Sequence, residues 1–99
     1  MSVSQTIFEQ LGGKRFQLMT GARELVGSVD GLQFKIGKNS SKATHVNIYY
    51  DDAEDLYLVQ FWKMTPKRMT LLKEYHGVYN DQLTGLFTEV TGLYTNLGI

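Results

Sequence analysis

Residues 32–36, LQFKI, are the most regular segment of the chain and decide how its neighbours are interpreted. Apolar and polar side chains alternate there, as they do in a strand with one buried and one solvated face. The leucine, phenylalanine and isoleucine are expected to face a core, and the glutamine and lysine to face solvent. Residues 45–50, HVNIYY, alternate in the same way, so the two segments predict neighbouring strands joined by a polar loop at 37–43.

Residues 56–64, LYLVQFWKM, are apolar on both sides of the alternation, which is typical of a strand inside a sheet. The following TPKR at 65–68 favours a turn, so residues 69–76 are expected to return as the second strand of a hairpin. Such a sheet has a second apolar face, on which we expect Met19 and Trp62. Two interpretations stay open: residues 21–27 and 93–99 close that face, or it is a homodimer or partner surface.

Helices are expected at the two ends of this strand-rich region. Residues 4–11 predict a short helix capped by Ser2 or Ser4 and ended by Gly12. Asn80 is expected to cap a second helix that ends at Gly92. The core side of that helix is formed by residues at helical spacing, Leu83, Leu86, Phe87 and Val90.

The segment between the first helix and the first clear strand is less regular. Residues 16–20 alternate and predict a half-buried strand, and residues 20–25 predict a single helical turn. The order of elements therefore indicates an α+β domain: a mostly antiparallel sheet of about five strands, with a short N-terminal helix and a C-terminal helix packed on it. Ninety-nine residues leave no material for a second core, so residues 1–99 are expected to form a single domain.

Composition excludes several classes of protein. Ten basic and ten acidic residues give a formal net charge of zero, so general attraction to nucleic acid or anionic lipid is not indicated. The absence of cysteine removes disulfide scaffolds, cysteine-type zinc sites and thiol nucleophiles. The sequence shows neither a charged leader followed by an apolar run nor a stretch of about 20 apolar residues. We therefore expect a cytoplasmic protein without a membrane segment.

One set of residues could support acid–base or metal chemistry. It consists of His45, His76, Glu74 and the acidic turn 51–55, DDAED. The histidines lack the spacing that places two imidazoles on one metal ion, and the turn lacks the alternating ligands of a calcium loop. A metal-assisted hydrolase or nuclease is therefore a minor alternative. We expect no catalytic residues, no cofactor and no metal site, and hence a protein that is not an enzyme.

Aromatic and basic residues in the strand region allow a nucleic-acid hypothesis. Tyr49 and Trp62 could stack on bases, and Lys63, Lys67 and Arg68 could contact phosphates, as in proteins that bind a single strand on a sheet. The opposing interpretation is that Trp62 packs beneath a helix and that the lysines protect strand edges.

Several motifs extend over most of the chain: LGGKRFQLMTGARELVG at 11–27, GLQFKIG at 31–37, VNIYY at 46–50, DLYLVQFW at 55–62 and GVYNDQLTGLFTEVTGLYTNL at 77–97. In these the chain resembles a family of small uncharacterised proteins encoded by bacteriophages, prophages and mobile elements. The resemblance implies a phage or prophage gene expressed in the bacterial cytoplasm. It implies no activity and no set of catalytic residues.

These observations together lead to one expected function and one alternative. We expect a non-enzymatic phage or prophage accessory protein that binds a macromolecule, most readily a phage or host protein, with a homodimer as a further option. The expected partner-binding residues are Lys14, Arg15, Trp62, Tyr79 and Tyr94. The alternative is a single-stranded nucleic-acid-binding protein that uses Tyr49, Trp62, Lys63, Lys67 and Arg68.

Overall fold

The computed structural model of the protein describes residues 2–95, and every structural statement below concerns that part of the chain. The elements within it are α1 (Val3–Leu11), α2 (Lys14–Thr20), β1 (Arg23–Gly27), β2 (Gly31–Lys35), β3 (His45–Asp51), β4 (Leu56–Thr65), β5 (Arg68–Val78) and α3 (Leu83–Thr91). A short 3-10 turn, Asn80–Gln82, leads into α3. None of the helices in residues 2–95 is long and apolar enough to cross a lipid bilayer.

The five strands form one sheet in chain order, β1-β2-β3-β4-β5, and each neighbouring pair is antiparallel. The N-terminal helix packs on β1 and β2 and touches α3. The sequence-based prediction of an antiparallel five-stranded sheet with an N-terminal and a C-terminal helix is therefore confirmed.

The core lies between the helices and one face of the sheet. Its centre is a cluster of three buried rings, Phe16 from α2, Phe34 from β2 and Phe87 from α3. The ring of Phe16 meets those of Phe34 and Phe87 edge-on, with centroids 5.3 Å and 5.4 Å away. Edge-to-face contact is a favoured geometry for aromatic pairs. The alternation at 32–36 thus places its apolar residues as predicted, with Phe34 fully buried.

The predicted strand at residues 16–20 is wrong, because this segment is helix α2. Phe16 is fully buried whereas Leu18 is 86% exposed, so the two side chains point in different directions instead of sharing a strand face. Gly21 ends the helix with a left-handed φ of 73°, which glycine adopts without the steric penalty of a side chain. The Thr20 hydroxyl donates to the carbonyl oxygen of Phe16 at 2.7 Å, closing the last turn. Met19, expected on the second sheet face, lies instead on this helix.

The predicted helical turn at residues 20–25 is also wrong. Residues 23–27 form edge strand β1, whose backbone pairs with β2, with a shift in register between Arg23 and Val26. Glu24 lies inside that shift and has a positive φ of 53°. Such an irregularity interrupts the alternation of side chains between the two faces, so the segment lacks the alternating sequence pattern of a regular strand.

The predicted hairpin is confirmed, since Thr65 pairs with Arg68 across the turn between β4 and β5. Strand β3 begins at His45, which pairs with Trp62. Residues 63–70, the end of the hairpin that carries its turn, therefore have no β3 residue beside them. In α3, Leu83 and Phe87 are buried as predicted, and Gly92 ends the helix with a φ of 77°. Asn80 does not cap α3 directly. It begins the 3-10 turn, where the Gln82 side-chain oxygen accepts from the backbone N–H of Tyr79 at 3.0 Å.

The segment at 93–99 was one of the two expected covers for the second sheet face. Leu93 packs against the core on the helical side, and Thr95 is buried there, next to Gly12. The described part of the segment therefore does not cover the face that carries Trp62. Residues 96–99 lie outside the described residues.

Candidate binding surface on the sheet

The candidate site is the sheet face opposite the helices, which we call the open face. It is built by the strand alternation, because each residue that follows a core residue points the other way. Within residues 2–95 no helix packs on it. Its central side chains are Gln33, His45, Asn47, Tyr49, Leu58, Gln60, Trp62, Met64, Met69, Leu71, Glu74 and His76.

A row of polar side chains crosses the middle of the open face. Gln33, Asn47, Gln60 and Glu74 pair in register across β2, β3, β4 and β5. The Gln60 amide donates to Oε2 of Glu74 at 2.6 Å, and Nε2 of His76 lies 2.8 Å from the other carboxylate oxygen. These two hydrogen bonds, that of Gln60 first, hold the pKa of Glu74 below its usual range.

The polar row also fixes the single tryptophan. The indole Nε1 of Trp62 donates to Oε1 of Gln60 at 3.1 Å, while the Gln60 amide nitrogen is bound to Glu74. Trp62 is half-buried and lies beside the row, where none of the helices in residues 2–95 covers it. The expectation that Trp62 packs beneath a helix is therefore wrong. Its ring is oriented by neighbouring side chains and faces solvent.

Asn47, at the centre of the row, has an unsatisfied acceptor. Its side chain is only 7% exposed, and its Nδ2 donates to the Tyr49 hydroxyl at 3.4 Å. Its Oδ1 is buried and has no hydrogen-bond partner among the described residues. A buried acceptor without a donor costs about 1–3 kcal/mol, so this atom is a local cost to the stability of the fold, and because it is closed to solvent a partner does not contact it.

The hairpin end of the open face is apolar. Trp62 pairs with Leu71, and Met64 pairs with Met69, so the four side chains form two adjacent cross-strand pairs. Met69 is 63% exposed and Leu71 is 41% exposed. We call these four residues the hairpin patch. Methionine adapts its shape to a partner, and tryptophan is enriched among the residues that dominate binding energy at interfaces.

The residues of the nucleic-acid hypothesis do not share one surface. Tyr49 and Trp62 both lie on the open face, but they are four residue pairs apart along β3 and β4, about 13 Å at the usual rise per residue. Lys63 follows Trp62 and so points to the opposite face of β4. Lys67 and Arg68 lie at the tip of the hairpin.

The charged side chains of the open face are of both signs. Arg23 pairs in register with Lys35, which lies 3.8 Å from Glu24, and the Glu74 carboxylate lies beside Gln60 and His76. His45, at the edge near Lys35, has a pKa below 6.5, first because of its burial and then because of the nearby Lys35 ammonium. Among residues 2–95 the open face therefore carries two basic residues at one end, Arg23 and the ion-paired Lys35, together with an exposed carboxylate, which is less positive than the surfaces that follow a phosphate backbone.

The residues of the protein-binding hypothesis fall into three groups. Lys14 and Arg15 are exposed at the start of α2, and Tyr94 is exposed after α3. These two segments adjoin, because a Cβ placed on Gly12 would lie 3.6 Å from the carbonyl oxygen of Thr95. Trp62 lies on the opposite side of the sheet. Tyr79 follows β5, at a third location.

The set considered for metal or acid–base chemistry is also separated. His45 is opposite Trp62, near one end of β3, whereas His76 is near the other end of β5 and bonded to Glu74. The acidic turn 51–55 lies between β3 and β4. Among residues 2–95 no group of three or more histidine, aspartate or glutamate side chains is arranged to hold a metal ion.

A cavity of about 410 Å³ lies on the helical side of the sheet, at the end that holds the β3–β4 turn. It is lined by α1, by the ends of β3 and β4, and by the residues after β5: Ser2, Val3, Thr6, Gln10, Tyr50, Glu54, Asp55, Tyr57, Tyr79 and Asn80. The Tyr57 hydroxyl donates to Oε1 of Gln10 at 2.6 Å, and the Tyr50 hydroxyl donates to Oδ1 of Asp55 at 2.6 Å.

Sequence reasoning singled out Tyr49, Trp62, Glu74 and His76 of the open face, and Tyr79 and the acidic turn 51–55 of the cavity, but did not group them into these two sites. The amides of Asn47 and Gln60 could have been found from strand register, because alternation assigns them to the face of Trp62. The cavity had no local signal, since its tyrosines come from two strands and from the segment after β5. Comparisons add no identity: no protein-family model matches the chain, and neither a curated protein nor a solved structure shows significant similarity to it.

Proposed function

We propose that this protein is a non-enzymatic binding protein whose open face docks on a protein partner. The observation that carries the proposal is the hairpin patch, with Trp62 held in place by Gln60 next to the exposed side chains of Met69 and Leu71. An oriented aromatic ring loses little conformational freedom on binding, so it can anchor an interface.

The chemistry of the open face specifies what the partner presents. The hairpin patch needs apolar side chains opposite it, and the exposed carboxylate of Glu74, on the same face, needs hydrogen-bond donors. A protein surface supplies both, with its side chains and its backbone N–H groups or side-chain amides. The resemblance described above implies a phage or host protein in the bacterial cytoplasm as the partner.

A protein partner is favoured over a single nucleic-acid strand by the charge distribution. The cations nearest Trp62 in sequence, Lys63 and Lys67, are on the opposite face of β4 and in the hairpin turn. On the open face, a strand stacked on Trp62 would meet Arg23 and Lys35, the latter ion-paired with Glu24, and the Glu74 carboxylate would repel its phosphates. The shared face of Tyr49 and Trp62 supports the nucleic-acid alternative, which the following experiment also tests.

The experiment is a pull-down from lysate of phage-infected or lysogenic cells, with and without nuclease. It compares the wild-type chain with Leu71→Ser and with a matched control, Leu18→Ser, an identical change at an exposed position on the helical side. We expect a protein retained after nuclease treatment by wild type and by Leu18→Ser, and lost with Leu71→Ser. Retention of the same protein by all three variants would contradict the proposal.

Two further readouts separate the alternatives. Light scattering of the purified chain gives its mass, and a dimer that Leu71→Ser converts to a monomer would make a second copy the partner. Fluorescence of the single tryptophan reports on nucleic acid. Quenching by oligonucleotides that weakens as salt is raised would favour the single-strand alternative instead.

A further inference from the structure

The cavity at the β3–β4 turn is a second concave feature, separated from the open face by the sheet. Its volume of about 410 Å³ is within the range of small-ligand pockets, about 300–1,000 Å³. Tyr50 and Tyr57 are on the helical face of the sheet, so a ligand in the cavity would not touch Trp62. The following inference is therefore independent of the function proposed above.

Aromatic rings form much of the cavity wall. Tyr50 and Tyr57 lie side by side with ring centroids 5.5 Å apart and planes tilted by 54°. Tyr79, 58% exposed, lies on the same cavity from the segment after β5. The faces of such rings carry partial negative charge and attract cations within about 6 Å of the ring centre.

The charged groups of the cavity are both acidic. Glu54 and Asp55 line it, and no lysine or arginine among the described residues does so. The turn that carries them is ordered, because Oδ1 of Asp51 accepts from the backbone N–H groups of Ala53 and Glu54. Two carboxylates and three tyrosines on one cavity favour a positively charged occupant.

The hydroxyl groups keep the aromatic wall neutral. The Tyr50 hydroxyl donates to Asp55, and this hydrogen bond is the main reason that its pKa is raised to about 12. Burial raises the pKa of Tyr57, whose hydroxyl donates to Gln10. Both rings therefore stay protonated at neutral pH, and the negative charge of the cavity resides on the carboxylates.

Among residues 2–95, one group on the cavity opposes a cation, the N-terminal end of α1. A helix N-terminus carries roughly half a positive charge, against two full negative charges on Glu54 and Asp55. Part of its capacity to bind an anion is already used, because the Ser2 hydroxyl accepts from the backbone N–H of Gln5 at 3.2 Å. The carboxylates therefore determine the sign of the electrostatic potential in the cavity.

We propose that this cavity binds an organic cation, an alkylammonium or guanidinium group, between the tyrosine rings and the carboxylates of Glu54 and Asp55. Such a group is supplied by a free small molecule, such as a polyamine, or by an arginine or lysine side chain of another protein. The recognition chemistry is the same in both cases: ring faces for the apolar part and carboxylates for the charge.

The test is an NMR titration of the full chain at low salt, followed through the ring resonances of Tyr50 and Tyr57. The probes are N-acetylarginine amide, spermidine and, as an anionic control, acetate. We expect saturable shifts with both cations and none with acetate, with the Trp62 indole resonance unchanged. A Kd of about 0.1–10 mM corresponds to the few weak contacts available, and raising the salt concentration should increase it.

Two variants of the acidic turn provide a matched comparison. Asp55→Asn removes a carboxylate from the cavity, and asparagine accepts the positive φ of 57° found at this position. Asp52→Asn removes the same charge from the same turn at a residue that does not line the cavity. We expect Asp55→Asn to weaken binding of N-acetylarginine amide at least 5-fold and Asp52→Asn to change it less than 2-fold.

Each outcome decides the proposal. Any of three results would overturn it: no tyrosine shifts with either cation, tyrosine shifts with acetate but not with the cations, or equal effects of the two variants on binding. Tighter binding of spermidine than of N-acetylarginine amide would identify a free polyamine as the source of the cation. Tighter binding of an arginine-containing peptide than of either would identify a protein side chain.

Discussion

Substitution of Phe16 by alanine tests the central claim about the fold, that residues 14–20 are helical. Phe16 is fully buried and meets Phe34 and Phe87 edge-on. Truncating a buried phenylalanine costs about 3–5 kcal/mol, because the transfer free energy of the ring is lost and a cavity is left. A domain of this size has a total unfolding free energy of about 5–15 kcal/mol, so the variant should still fold but retain only a small unfolding free energy.

The assay is urea and thermal denaturation followed by far-ultraviolet circular dichroism, with Leu18→Ala as the matched control. At about 4–8 °C per kcal/mol for a domain of this length, Phe16→Ala should lower Tm by roughly 12–40 °C. Leu18 is 86% exposed on the same helix, so its truncation should change the unfolding free energy by less than about 0.5 kcal/mol.

The comparison of the two variants distinguishes a helix from a strand at residues 16–20. If residues 16–20 were a strand, Phe16 and Leu18 would share a face and both truncations would be costly. Equal losses of several kcal/mol from the two variants would therefore refute the helix. A loss below about 1 kcal/mol from Phe16→Ala would refute its place at the centre of the core.

The backbone and the titrating groups lead to four further predictions. Gly31→Ala should cost at least about 2 kcal/mol in denaturation experiments, because its methyl group would meet the backbone carbonyl of the neighbouring strand β3. Gly85→Ala, in α3 with open space around it, should instead stabilise the protein by about 0.5–1 kcal/mol, and a loss there would contradict the helix. The lowered pKa of His45 means that the unfolded chain takes up its proton first, so the unfolding free energy should fall as the pH drops below 6.5 and through the folded pKa. The NMR titration of its ring should show that midpoint, and a midpoint above 6.5 would contradict the burial and cationic surroundings described. Tyr50 should titrate near pH 12 in ultraviolet absorbance, because its hydroxyl donates to Asp55, and the contribution of that neutral hydroxyl to stability is lost as the pH rises from 10.0 through 12. In Asp55→Asn the midpoint should move toward 10.0, and an unchanged midpoint would show that this carboxylate is not the cause.

The parts of the fold that sequence predicted are those with a repeated pattern. The alternation at 32–36 is strict, with polar residues at both intervening positions, and the buried positions Leu83 and Phe87 recur at helical spacing. Residues 16–20 are equally long but alternate less strictly, because Met19 is apolar, and the deciding fact, that Phe16 fits between Phe34 and Phe87, is tertiary. Strand β1 was missed for a similar reason, since its conformation depends on pairing with β2.

The same distinction between repeated sequence patterns and tertiary contacts applies to the candidate sites. Strand register, which follows from alternation, places Tyr49 and Trp62 on one face and Lys63 on the other. The sequence could not show that Gln60 would fix the indole, because that depends on side-chain conformation. The cavity joins Tyr57 with Gln10, 47 positions apart in the chain, and contacts of that separation leave no periodic trace in the sequence.

The order of the strands also has a consequence for how the molecule forms. Each strand of the sheet pairs with its immediate neighbours in the chain, so every pairing closes a short loop and costs little loop entropy. Chains dominated by such local pairings fold faster than sheets that must join distant segments. The described hydrogen bonds with the greatest separation in sequence join the loop between β2 and β3 to the end of α3. There both the N–H and the hydroxyl of Ser40 donate to the carbonyl oxygen of Thr91. The sheet can therefore assemble from hairpins, and docking of α3 onto the loop between β2 and β3 completes the core.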